Sequence, residues 1–158
     1  MSNEKDDFTL PKYFYLLNDY DKQNYMILHD LISKSEKRYK RYKRVESIQD
    51  ALLLIRDFCI KGNVDDWKRC LVCGACWVRE NVAINTRHLC ILVGKCKSSI
   101  NGAISKMGYK IVPFKSAATK ELIAFIPLLK ENSEELRQWT IRKKINSKEM
   151  NYIEIKTH

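Results

Sequence analysis

The residues best suited to chemistry lie in one run, Lys95-Cys96-Lys97-Ser98-Ser99-Ile100-Asn101-Gly102, continued by Ala103-Ile104-Ser105-Lys106-Met107-Gly108. Wound as a helix at roughly 100° per residue, Ile100, Ala103, Ile104 and Met107 share one arc, which must face a core. Ser98, Gly102 and Ser105 point the opposite way, with Ser99, Asn101 and Lys106 on the flanks. That outward face is small, polar and free of acids. It suits close approach to a polyanion: small side chains let the backbone come near a groove floor, and Asn101 can pair with two atoms of an adenine edge. The hydroxyls of Ser98 and Ser99, at the helix start, can bond a phosphate. Lys95, Lys97 and Lys106 surround the face with positive charge. A merely solvated helix face would look similar, so the surrounding sequence decides the weight of this reading.

A second run, Lys37-Arg38-Tyr39-Lys40-Arg41-Tyr42-Lys43-Arg44, interleaves two tyrosines with six cations. From Lys34 to Arg44 there are seven cations and one acid, a local charge of +6 out of a net +10. Excess positive charge favours polyanionic partners. Such a loop meets phosphates or reaches into a minor groove, whose negative potential attracts arginine. Lys37, Arg38, Lys40, Arg41, Lys43 and Arg44 are therefore a second set of candidate DNA contacts. A solvated, lysine-rich surface loop or a nuclear localisation signal is the other reading, and neither excludes DNA contact.

Cys70-x-x-Cys73-x-x-Cys76 invites a metal reading. On one continuous helix, however, the three thiols fan over about 120°, and a tetrahedral site would need distant help from Cys90, Cys96 or His88. No metal and no other cofactor is expected. The six cysteines are expected to be free thiols in a reducing compartment. An enzyme is not expected either. Five glycines form no phosphate-binding loop, and His29, His88 and His158 have no spaced acid or nucleophile. His29 falls on the apolar face of its helix, and His88 is expected to be solvated.

The elements that must position these residues can be read from periodicity. Tyr25, Leu28, His29 and Ile32 mark one helix face, capped by Asn18 or Asp19. Ser47, with Asp50 three residues on, opens a second helix burying Ile48, Leu52, Ile55 and Cys59 and stopping at Gly62. Trp67, Cys70, Leu71, Gly74, Trp77 and Val78 predict a third helix, from near Asp65. Val82-Ala83-Ile84 predicts a short strand. Asn85 or Thr86 then caps a helix with Leu89, Leu92, Val93 and Cys96 on its apolar face. Gly94 breaks it, Lys95-Cys96-Lys97 turns the chain, and Ser98 or Ser99 caps the next helix. Two short helices around a glycine turn are a helix-turn-helix signature. Strands follow at Tyr109–Val112 and Gln138–Arg142, with a helical pattern over Ala117–Leu129 kinked at Pro127.

The order helix, strand, helix, helix, strand, strand predicts a mainly α fold with a small antiparallel sheet. It would be an α+β winged-helix variant with extra N-terminal helices. A length of 158 residues suits one domain. We divide it into a polar arm over 1–10, a DNA-binding domain over 11–145 and a polar tail over 146–158. No run approaches the ~18 apolar residues of a membrane span. The acidic, polar N-terminus is no signal peptide, so the protein is expected inside the cell. No coiled-coil seam is present, and a monomer on DNA is the default.

Several segments together resemble a known family. They are Asp65-Asp66-Trp67-Lys68-Arg69-Cys70-Leu71-Val72-Cys73-Gly74, Ala83-Ile84-Asn85-Thr86, Lys95–Gly102, Met107-Gly108-Tyr109 and Arg137-Gln138-Trp139-Thr140. This pattern is similar to the initiator-binding domain of parabasalid core-promoter proteins, from about Leu10 to Lys144. The resemblance implies a winged-helix domain that recognises double-stranded promoter DNA at the initiator or a related element, in the nucleus. Its recognition helix would map onto Ser98–Met107 and its DNA-touching basic loop onto Lys37–Arg44. Family proteins often carry a further C-terminal domain, which this chain is too short to hold. Contact with the transcription machinery would then lie outside it. The alternative is a winged-helix protein-interaction module whose basic segment binds an acidic partner.

Overall fold

The computed structural model describes residues 9–38, 47–113 and 116–145, with 34–38 as backbone only. Most of the arm over 1–10 and all of the tail over 146–158 lie outside the described residues. After a short 3₁₀ turn, Phe14–Leu16, three helices follow: α1 (Asp19–Arg38), α2 (Ile48–Cys59) and α3 (Asp66–Cys73). A hairpin of β1 (Ala75–Val78) and β2 (Asn81–Asn85) leads into α4 (Thr86–Val93) and α5 (Lys97–Lys106). Then come β3 (Tyr109–Ile111), α6 (Ala117–Phe125), α7 (Leu128–Glu131), α8 (Ser133–Leu136) and β4 (Trp139–Lys144). The sheet is antiparallel, in the order β1-β2-β4-β3. The expected α+β class is therefore observed, with β1 and α8 added to the elements periodicity indicated and the Ala117–Leu129 pattern split into α6 and α7 at Pro127.

The caps explain the helix starts. Asn18 Oδ1 accepts the Asp21 N–H at 2.7 Å, and Ser47 Oγ accepts the Asp50 N–H at 3.1 Å. Each cap of this type contributes about 1 kcal/mol. Helix α2 ends at Cys59, before Gly62. The Asp66 carboxylate takes the N–H groups of Lys61, Gly62 and Asn63 at 3.0, 3.0 and 3.4 Å and so turns the chain early.

The third helix is shorter than its apolar stripe suggested. It stops at Gly74, which adopts φ 85°, and Cys76, Trp77 and Val78 belong to β1. A Cβ at Gly74 would lie 2.6 Å from the Asn85 carbonyl oxygen and 2.7 Å from the Leu89 nitrogen. Only glycine lets the end of α3 pass this close to the start of α4. Cys70, Cys73 and Cys76 therefore do not share one helix, as their spacing suggested: two sit on α3 and one on β1.

His88 is likewise not solvated. It is 2% exposed, and its Nε2–H donates to Glu135 Oε2 at 2.8 Å. Glu135, itself buried, gathers three more donors: Asn85 Nδ2 at 2.8 Å, Trp139 Nε1 at 3.0 Å and the Tyr13 hydroxyl at 3.3 Å. A buried carboxylate is tolerable only when its lone pairs are filled in this way. Burial pushes its pKa up, but His88, Trp139 and Tyr13 outweigh that and hold it below the ordinary glutamate value. The cluster fixes Asn85, the cap of α4, to the short helix α8 and the start of β4.

Candidate nucleic-acid interface

Helix α4 begins with Asn85 Oδ1 accepting the N–H groups of Arg87 and His88 at 3.0 and 3.3 Å. It buries His88, Leu89, Leu92 and Val93 and ends at Gly94, φ 78°. Cys96 is not part of its apolar face. It is exposed and sits at the N-cap of α5. Consequently α5 starts at Lys97, and Ser98 and Ser99 lie in its first turn rather than at its cap. Their hydroxyls face back to Cys96 Sγ, at 3.3 and 3.5 Å. These hydrogen bonds pull the Cys96 thiol down to about 6.

Ile100 and Ile104 are fully buried, and Ala103 and Met107 pack partly buried against the same core. Full burial of an isoleucine stabilises by about 1.5–3 kcal/mol, so these two fix the rotation of α5 about its axis. Lys97, Ser98, Ser99, Gly102, Ser105 and Lys106 are exposed, while Asn101 and Lys95 are half-buried. No acid is on the helix. Gly102 adopts ordinary helical backbone, and a Cβ there would meet nothing within 4 Å.

Of the basic segment, Lys37 and Arg38 form the last residues of α1, with side chains outside the described residues. Lys40, Arg41, Lys43 and Arg44 lie wholly outside them.

The flank of α5 that carries Lys97, Asn101 and Ser105 forms one wall of a groove of about 900 Å³. Its other sides come from the first turns of α4, from β3 and from β4. Five cations line it, Arg87, Lys97, Lys110, Arg137 and Arg142, and none of the lining residues is acidic. Arg142 donates from Nη2 to Asn101 Oδ1 at 2.9 Å, tying the recognition-helix candidate to β4. Arg87, Lys110, Arg137 and Arg142 were not among the candidates read from sequence. The only local signal for Arg142 is its alternation with Trp139 and Ile141, which puts it and Thr140 on the face opposite the core.

Cys59, Cys70, Cys73 and Cys76 are buried free thiols. Among the described residues no group of His, Cys, Asp and Glu is arranged to hold a metal ion. No described helix is long and apolar enough to cross a membrane.

An acid-free groove lined by five cations, beside a short helix with a small polar face, defines a class of module built to meet a polyanion. The chain belongs to the transcription-initiator DNA-binding domain family, whose model matches residues 19–146. That is a family of DNA-binding domains and not of enzymes. A comparison with curated proteins and another with solved structures gave no match.

Proposed function

We propose that this domain binds a core-promoter initiator or related element as a winged helix, laying α5 in the major groove. Lys37–Arg44 is the second contact, to the backbone or the minor groove. One copy binds per site, in the nucleus, and regions outside this chain meet the transcription machinery.

The observation that carries this reading is Gly102. Glycine within a helix costs roughly 0.5–1 kcal/mol relative to alanine. None of the described residues requires it, because the space where a Cβ would sit is open among them. A glycine the fold does not need, at the centre of an exposed acid-free face, is explained by a partner that approaches the helix backbone. A groove floor is such a partner.

Gly102→Ala tests it directly. The variant should be more stable by roughly 0.5–1 kcal/mol and yet bind its DNA site more weakly. Selection from random duplexes should first yield that site. Wild-type affinity should then fall by about 10³–10⁵ between 50 and 200 mM salt if six to ten phosphates are met. A stabilised variant with unchanged affinity would remove α5 from the groove. A flat salt response, with binding to an acidic protein instead, would make the domain an interaction module.

A further inference from the structure

We infer that Arg142 is the centre of a phosphate-binding pocket, and that its ligand is a backbone phosphate of the bound duplex. This rests on the DNA-binding reading above and adds a contact from the sheet to those of α5.

Among the described residues Arg142 carries an uncompensated charge. Arg142 is 6% exposed, and a guanidinium stays protonated at any physiological pH. Taking such an ion out of water costs several kcal/mol unless an opposite charge is supplied. Among the described residues its acceptors are neutral. Nε and Nη2 donate to Thr140 Oγ1 at 3.2 and 3.1 Å, and Nη2 donates to Asn101 Oδ1. No carboxylate pairs with Arg142 among the described residues. Nη1 makes no hydrogen bond within them, yet it is not sealed from solvent as the Tyr25 hydroxyl is. Burial alone pulls the Arg142 pKa below the ordinary arginine value.

The other lining residues supply no compensating charge. Arg87, Lys97, Lys110 and Arg137 line the same groove, from α4, α5, β3 and the turn before β4. None of the lining residues is acidic, so an anion in the groove would meet cations alone among its charged groups. The planar guanidinium fork suits phosphate oxygens. Cations on every side of an open groove fit a phosphodiester strand running through it better than a single small ion. The contact would also position α5. A phosphate on Arg142 pins the residue that holds Asn101, setting the register in which the helix meets bases.

The test compares wild type with Arg142→Gln, which keeps a donor for Asn101 and Thr140 but has no charge. Duplexes of the selected site carry single methylphosphonates, each neutralising one phosphate. One such substitution should weaken wild type roughly 10- to 100-fold, the range for a charge-assisted hydrogen bond, and should barely affect Arg142→Gln. The variant's salt slope should be lower by about one unit. Should Arg142→Gln melt below the assay temperature, Arg87→Gln and Lys110→Gln, at exposed positions, take its place against the same methylphosphonates. If wild type binds duplex DNA but no methylphosphonate effect depends on these side chains, the inference fails and the DNA-binding reading stands. If wild type binds no duplex, that reading fails first. A rise in melting temperature with millimolar inorganic phosphate, lost in Arg142→Gln and unaccompanied by any phosphate coupling on DNA, would make the pocket a free-anion site. That outcome too overturns the assignment.

Discussion

Arg69 and Arg142 are both shielded from solvent, at 1% and 6% exposure, yet the fold treats their charges in opposite ways. Arg69 donates from Nη1 to Asp21 at 2.8 Å and from Nη2 to Asp66, and it also reaches the Cys59 carbonyl oxygen at 3.2 Å and Asn63 at 2.9 Å. Burial works against its charge, but Asp21 and Asp66 outweigh that and hold its pKa above the ordinary value. Among the described residues Arg142 has a threonine and an asparagine and no carboxylate. A buried cation between two carboxylates is a fastener: it joins α1, the end of α2 and α3 and leaves nothing for a ligand to satisfy. A buried cation without carboxylates is an unfinished interaction. The absence of acids among the described residues around it, more than the presence of arginine, is what points to a ligand at the second site.

The widest separation between the two should appear in stability. Arg69→Ala strands two buried carboxylates and should cost roughly 3–5 kcal/mol, read as a lower urea midpoint. Arg142→Ala strands no charge and removes hydrogen bonds to neutral groups, each worth about 1 kcal/mol. Equal losses in the two variants would break the comparison.

Acid sharpens it next. Backbone N–H groups and Arg69 hold Asp66 below the ordinary aspartate value despite burial, and Glu135 is likewise depressed. A carboxylate with a lowered folded pKa stabilises fully above its unfolded pKa and loses that contribution as pH falls through the folded value. Stability should therefore hold from neutral pH down to about pH 4–5 and drop below it. Arg69→Ala should flatten that drop, because Asp66 then titrates closer to its unfolded value. Arg142→Gln should leave the slope unchanged. Urea midpoints collected between pH 3 and 7 decide both points.

The smallest effect concerns thiols, which repeat the contrast between sealed and open. Burial pushes the Cys59 thiol up, while exposed Cys96 is pulled down to about 6. Iodoacetamide should modify Cys96 first, with its rate half-maximal near pH 6, and leave the melting temperature unchanged. Peptide mapping by mass spectrometry reads the order. Modification of Cys59 at a comparable rate would show that the core opens more readily than its burial implies.

What was legible in the sequence was local. The periodicity of Ile100, Ala103, Ile104 and Met107 set the orientation of α5, and Asn85 and Gly94 marked the two ends of α4. Long-range features were not legible. Trp77 and Val78 continued a helical stripe past Gly74, and only the close approach of Asn85 reveals why that glycine ends the helix. His88 and Glu135 are 47 residues apart, so no spacing rule couples them. Arg142 appeared as a polar residue on an alternating strand. Its importance depends on which side chains are missing around it, and a sequence does not display a missing neighbour.

The strand order carries a consequence for how the domain is made. Strand β4 is last in sequence among the described strands but lies between β2 and β3, pairing Ala83 with Ile141 on one side and Ile111 with Arg142 on the other. While the chain is being synthesised, β3 has no partner in the sheet, and the groove lacks Thr140 and Arg142. The helical pair around Gly94 can form early from local contacts, whereas the cationic groove must wait for a late, non-local pairing. A chain stopped before Trp139 would display α5 without the strand that steadies it. The ability to bind should thus arise in one step, when the closing strand slides into the middle of the sheet.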